Sequence, residues 1–559
     1  MIVDFKYKGS SAIVQGLDSA KMAFATNSMR EAAFFKGTLA RPFLFREALG
    51  ALFSVVTSDF KYRPRDRLAF RAWMDEQDRL FTERLAVRGE KARQRIEQLE
   101  ARRAELDRLR DIRYKPFYDA RRQYFEHIWQ NQWELNYLFD PVVTVHPDEL
   151  FFEAFSKDES SYARVGVRYD LFERIDAFEC GTTNIDFSAK LAGELDRVRS
   201  YRPTTFDVAP SGIDVKVGDA QAHKEKKIDL PDSWVNGFLQ VQSTMAMALT
   251  RLTIAPIDLY NISRFLRRFK ANKSPRALRF ELVPGKRPKV VFEPWEVSYE
   301  LSSDSHYDGQ KPATIRTWGR DRLRVLARLL PVAQKVDVYL AGLGLPSIYV
   351  IDLGEVSFTL ALSGWTENDW TGGAKFDLLT RRLDGTADEL MKVYEALRAV
   401  RRTKDVELAT TTGLSVDKTR SVLGHLCQVG RAMLDLSTGQ YRHRDLFLAP
   451  FTMKEAAQAL KPAVTQNTPQ AVAGKAMASA GDVRIIMRQP FSGGFKLSGN
   501  AKNKDGARVR PLLTVDLQGN FVEGSCTCSH FKSNGLTQGP CEHLLGLRQA
   551  HIDRVNAEK

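Results

Sequence analysis

The spacing of apolar and polar positions changes several times along the chain. Up to about residue 200 apolar residues recur at helical intervals, as in Ser28 to Leu39 and Phe43 to Val56, before a break at Pro64. Arg65 to Arg113 holds no proline, and Ala92, Ile96, Leu99 and Leu106 keep a heptad spacing that Arg103 and Arg110 interrupt. Beyond Pro116, the bulky residues Phe117, Tyr124, Ile128, Trp129, Trp133, Leu135 and Leu138 predict a helix that packs back on the first as a hairpin. From 201 to 385 short alternating segments dominate, among them Ala277 to Val283, Lys289 to Phe292 and Glu296 to Leu301. A helix from about Arg320 to Leu330, a strand through Val336, Val338 and Leu340, and another from Ser347 to Asp352 follow. The intervening Gly342-Leu343-Gly344-Leu345-Pro346 reads as a strand-to-strand connection. A phosphate loop would need a following helix, with a third glycine or a Gly-Lys-Ser/Thr ending.

Residues 386–449 predict a helix through Asp388 to Leu397, a second at Asp405 to Ala409, a turn at Gly413 and a third helix from Ser415. Two strands, Met433 to Leu436 and Gln440 to Arg444, then join at Ser437-Thr438-Gly439. Leu408 and Ala409 hold the middle helix near the third, whose inner face is Val422, Leu423 and Leu426. This order resembles a winged helix-turn-helix, although Thr419 replaces the usual larger apolar residue and Asp417 adds a negative charge. The resemblance implies base-edge contacts from Arg420 and Ser421, and phosphate contacts from Lys418, Arg442 and Arg444.

The stretch from about Ala457 to Gly481 is poor in large apolar side chains and has two prolines, so residues 450–480 are expected to be a flexible linker. After it, Val483 to Met487, Phe495 to Leu497 and the alternating Leu513, Val515 and Leu517 predict strands, and the chemistry begins at Cys526-Thr527-Cys528. After twelve intervening residues Cys541-Glu542-His543 repeats the i, i+2 spacing at the start of a helix anchored by Leu544, Leu545 and Leu547. Three thiolates and an imidazole suit tetrahedral zinc, and four protein ligands leave no open position for an activated water, so the ion is expected to be structural. His530 is a rival donor. The C-x-C, loop, C-x-H pattern is similar to the SWIM zinc finger, a module associated with DNA or protein binding, over roughly the last 75 residues. More faintly, the order of an N-terminal region, a mixed domain, a helical segment and a terminal finger resembles bacterial SWIM-containing proteins. Some of those occur beside ATPase and von Willebrand factor A partners in suspected defence or conflict systems.

The expected fold class is therefore multidomain α+β. It divides into a mainly helical region 1–200, an α+β domain 201–385, a winged-helix-like segment 386–449, a linker 450–480 and a β-β-α zinc finger 481–559. Five cysteines are too few and too clustered for a disulfide framework, leaving Cys180 and Cys427 as packed thiols. A formal net charge of +14 favours polyanionic partners. Lys496, Lys502, Lys504, Arg508, Arg510, Lys532 and Arg548 gather around the metal motif. No apolar run approaches a membrane span and the first residues lack a signal pattern, so a cytoplasmic protein without membrane contact is expected. Asp304, His306, Asp308 and Asp369 are the only hint of catalysis, and their spacing specifies no reaction. The expectation is a non-enzymatic nucleic-acid-binding protein, with DNA the favoured ligand. The alternative is an adaptor whose finger docks a protein.

Overall fold

The computed structural model describes most of residues 33–59, 141–185, 204–209, 232–364, 385–460 and 469–558, with the short pieces 12–15, 20–25, 98–106, 195–199 and 369–371. The chain divides into two compact units, one formed by Lys61–Leu138 and the other by the remainder. Within the first, residues 98–103 and 105–106 are helical and exposed, with Arg102 and Glu105 paired at 2.9 Å. The rest of the expected helical hairpin lies outside the described residues.

The expectation of a mainly helical region up to residue 200 is corrected by the larger unit. Its described residues there form strands around a single long helix, Pro42–Val56. Phe34–Leu39, part of an expected helix, is a strand whose residues alternate between buried and less buried. Phe35, Gly37 and Leu39 face inward, a period of two that the flanking apolar residues disguised as a helical pattern. Farther on, Glu149–Phe155 is buried at every position and Ser161–Arg168 at every position but the last. A strand covered on both faces carries no alternation for sequence reasoning to detect.

An eight-stranded antiparallel sheet runs in the order Thr250–Ile254, Lys335–Leu340, Ser347–Asp352, Val356–Leu362, Ser161–Arg168, Glu149–Phe155, Val142–Val145, Gly181–Asn184. Ser161–Arg168 pairs along its length with Val356–Leu362, so the boundary expected at residue 200 divides one continuous sheet. One of its faces packs on Pro42–Val56 through Phe45, Leu49, Leu52, Phe152 and Val165. The other meets the helix Asp232–Met245, where Phe238 lies 5.0 Å from Phe155 and 6.1 Å from Tyr162. The expected helix after Gly319 is tight 3-10 structure, Arg320–Arg328 and Leu330–Val332.

Between 386 and 449 the helices are Ala387–Val400, Asp405–Thr412 and Val416–Gln428. Thr386 and Glu389 form a reciprocal capping box on the first, and Ser415 caps the third. Gly413 turns the chain at φ 67°, a left-handed conformation that costs a residue with a Cβ. Arg402–Thr403, Gln440–His443 and Ala432–Asp435 complete the segment as a three-stranded sheet.

The expected linker is corrected too. Met453–Ala459 and Pro469–Ser479 are helices, and the second packs on the C-terminal helix Glu542–Ala557. Its alanines and Gly474 are what sequence reasoning took for a lack of core residues. They are the condition for close approach: a Cβ at Gly474 would stand 2.7 Å from the Glu542 carbonyl and 3.0 Å from the Gly546 nitrogen. Gly474→Ala is therefore expected to destabilise the C-terminal module by about 1–3 kcal/mol despite the better helix propensity of alanine. A denaturant midpoint at or above that of the parent protein would contradict this packing. Across the sheet Val483–Phe491, Gly494–Lys502, Pro511–Asp516 and Phe521–Cys526, inward residues such as Leu497 and Leu513 meet the same helix. Among the described residues no helix is long and apolar enough to cross a membrane.

Candidate metal centre and basic surfaces

The sheet and the last helix bring the four expected ligands together. Cys526 ends the strand Phe521–Cys526, Cys528 precedes the short helix Ser529–Asn534, and Cys541 caps Glu542–Ala557, whose first turn carries His543. Their donor atoms all lie within 4.8 Å of one another, and all four side chains are buried. Zn–S bonds of ~2.3 Å in a tetrahedron put sulfurs roughly 3.8 Å apart, so the cluster fits such an ion. The chemistry of the donors fits as well. Both ring nitrogens of His543 are buried without a hydrogen-bond partner among the described residues, which is costly unless one of them ligates. A hydrogen bond with Cys541 pulls the Cys526 thiol down to about 4, and the same contact holds the Cys541 proton far above the ordinary thiol range. Several thiolates at this separation need a cation. His530 stays outside the four-donor set, with both ring nitrogens buried.

The other expected site residues are placed differently. Arg420, half exposed, donates to Asp405 at 2.8 Å and stands 3.6 Å from Asp417, while Lys418 pairs with Glu389 at 3.0 Å. Ser421 is half-buried. Arg442 and Arg444 are corrections, because neither reaches solvent. Arg442 bonds Asp148 at 2.8 Å, Asp435 at 3.0 Å and Glu149 at 3.1 Å, and Arg444 binds both carboxylate oxygens of Glu153. The strand Gln440–His443, which carries Arg442 and leads directly into Arg444, is sandwiched between the helices of its own segment and the large sheet, so both of its faces are interior. Apart from Asp435, seven residues before Arg442, their acidic partners Asp148, Glu149 and Glu153 lie almost three hundred residues earlier, where sequence spacing gives no sign of them.

Next to this network His146 places Nε2 2.7 Å from the His443 carbonyl, which can only accept, so Nε2 carries the proton. Burial above all, with Arg442 nearby, lowers its pKa to about 3. The unfolded chain takes up this proton below about 6.5 and the folded one refuses it, so stability present at neutral pH is lost as pH falls toward 3. The loss is about 1.4 kcal/mol per pH unit. A His146→Gln variant, which keeps an N–H donor, should lose less of its urea midpoint than the parent between neutral and mildly acidic pH. Equal losses would rule out this residue as the cause.

Several of the basic residues flanking the metal motif share a surface. On Gly494–Lys502, Leu497, Gly499 and Ala501 face the last helix, while Lys496, Asn500 and Lys502 are exposed on the opposite side. Lys502 pairs in register with exposed Arg508, and Arg510 and Leu512 continue the exposed positions along the next segment. Among the described residues none of Lys496, Lys502, Arg508 and Arg510 has an ion pair, and the adjoining strand adds only Glu523. Arg548, by contrast, is buried. Cys427 is buried, which pushes its thiol up to about 12, as expected of a packed cysteine. His306 lies 3.6 Å from Asp308 at the surface.

No protein-family model matches the chain, and no curated protein matches it in sequence. Among solved structures, proliferating cellular nuclear antigen from Entamoeba histolytica is similar over 59% of this chain and 98% of that one, at 9% identity and a TM-score of 0.32. So distant a superposition assigns neither fold nor function.

Proposed function

We propose that this chain is a non-enzymatic nucleic-acid-binding protein whose C-terminal module is a SWIM-type finger held by structural zinc, with DNA as its ligand. The observation that carries the reading is the outer face of the zinc sheet, where Lys496, Lys502, Arg508 and Arg510 are exposed and unpaired among the described residues. Phosphates repeating along a strand match such a row of like charges, and displaced counterions drive the association. In this reading the three helices and small sheet of 386–449 are a winged-helix-like segment. They orient the finger and contribute less to phosphate binding, because Lys418, Arg420, Arg442 and Arg444 are already paired with acids.

The adaptor alternative has an observation of its own. Ile486, Met487 and Leu512 are 62%, 49% and 49% exposed on the same module, and among the described residues Val483–Phe491 is the edge strand of its sheet, the position at which a partner strand can add. Fluorescence anisotropy of the zinc-loaded protein with duplex DNA at two salt concentrations separates the readings. Lys502→Glu with Arg508→Glu is expected to weaken binding about tenfold or more and to lower the salt slope by roughly 0.9 for each phosphate that is no longer neutralised. No binding to DNA or RNA at low salt, with the metal in place, would sink the nucleic-acid reading and leave the adaptor.

A further inference from the structure

A second cationic surface lies far from the zinc sheet in sequence, at the end of the helix Pro256–Arg268. Ile257, Tyr260, Arg264, Arg267 and Arg268 recur at intervals of three and four residues and are all exposed, forming one outward stripe about a turn apart. Just past the helix Phe269 is 43% exposed, followed by exposed Lys270. Phe269 belongs to an aromatic cluster. Its ring lies 4.6 Å from Phe265 and 6.1 Å from Trp295, and Phe265 stacks on Phe292 at 4.0 Å. The strand carrying Phe292 brings in another cation: the Glu293 N–H donates to the carbonyl of Ala277, next to exposed Arg276, which is close enough to Arg320 to repel its charge. Arg320 in turn lies over the Trp295 ring at 5.2 Å.

The charge around this cluster is unbalanced. Among the described residues the nearby acids already have partners: Asp258 is buried on Ser302, Ser305 and Tyr299, Glu293 and Glu296 bind Arg279, and Asp321 binds Arg324. Arg264, Arg267, Arg268, Lys270 and Arg276 have no ion pair among the described residues. Arg267 and Arg268 also complement the negative end of the helix, but that effect fades within the last turn and explains neither Lys270 nor Arg276. Nor does it explain why a phenylalanine is left 43% exposed, with the Arg268 guanidinium 5.8 Å from its ring centre.

We propose that this surface binds single-stranded nucleic acid, with a base stacked on Phe269 beside Trp295 and the flanking phosphates held by Arg264, Arg268, Lys270 and Arg276. An exposed aromatic ring accepts the face of any unpaired base, whereas a duplex offers bases already stacked on one another. An acidic peptide would satisfy the cations and leave the ring unused. None of these residues belongs to the zinc sheet, so the two surfaces stand or fall separately. The signal was present in the sequence as Arg264-Phe265-Leu266-Arg267-Arg268-Phe269-Lys270, alternating cations with aromatics.

The test uses full-length zinc-loaded protein with fluorescent oligothymidylate and oligouridylate of about twenty nucleotides, at low salt. In parallel, oligonucleotides carrying a photoreactive pyrimidine are cross-linked and the modified peptides sequenced. Arg268→Glu with Lys270→Glu, both exposed, is expected to weaken single-strand binding about tenfold or more. Phe269→Ala is expected to weaken it about fivefold or more. Cross-links should fall at Phe269 or Trp295 and persist when Lys502 and Arg508 are reversed. Cross-links confined to residues 483–526 would overturn this site and leave the zinc-sheet reading standing. Affinity within twofold of the parent in the charge-reversed variant, or displacement by polyglutamate as effective as by oligonucleotide, would also overturn it.

Discussion

Stripping the metal from the zinc-loaded protein, or replacing Cys541 with serine, is expected to unfold residues 469–557 together while the eight-stranded sheet stays folded. Ligation by three thiolates and a histidine is worth about 10–16 kcal/mol near neutral pH. A module of this size obtains far less from its own core. A metal on these four donors would also hold separate elements in register: Cys526 at the end of one strand, Cys528 at the start of a short helix, and Cys541 and His543 at the first turn of the last helix. Pro469–Ser479 rests on that last helix through Gly474 and should be lost with it. Hydrogen exchange followed by residue is the measurement. Amides of Gly494–Lys502 and Glu542–Ala557 should lose protection on chelation, while those of Ser161–Arg168 and Ser347–Asp352 keep it. Acid should act in the same direction, because protons compete with the metal for the thiolates. A preparation free of metal with all of these amides protected would refute the structural role.

Replacing Arg444 with methionine should destabilise the protein by about 3–5 kcal/mol without weakening its hold on nucleic acid. Arg444 and Glu153 are both fully buried, and Glu153 also accepts from the Tyr162 hydroxyl at 2.6 Å. Losing the guanidinium strands a carboxylate in the core, against the ring of Phe238 that lies 5.0 Å from the Arg444 charge. Pairing Arg444→Met with Glu153→Gln removes both charges and keeps an acceptor for Tyr162. Most of the stability should return, since two of the arginine's own nitrogens, Nε and Nη2, find no hydrogen-bond partner among the described residues. Urea midpoints of the two variants and the parent decide the matter. A single-variant cost under about 1 kcal/mol would show that the pair is better solvated than its burial indicates. A large loss of DNA affinity at unchanged stability would return Arg444 to the phosphate-facing role its position in the sequence first implied.

Local chemistry was legible in the chain itself. The two Cys-x-Cys/His pairs had to converge because thiols at i and i+2 next to a turn have few other uses, and Gly413 and Ser415 announced a turn and a cap through requirements confined to one or two residues. The paired strands Lys335–Leu340 and Ser347–Asp352 showed the same way, one of them through its alternation. What the sequence could not carry was anything that depends on what lies opposite. Glu149–Phe155 and Ser161–Arg168 are buried on both faces and so show no period. Pro469–Ser479 looked like a linker because the glycine and alanines that let it touch Glu542–Ala557 resemble an absence of core. Arg442 and Arg444 read as a basic wing until the fold set Asp148, Glu149 and Glu153 against them. A charge is a ligand for phosphate only if no carboxylate reaches it first, and which carboxylates reach it is a property of tertiary structure alone.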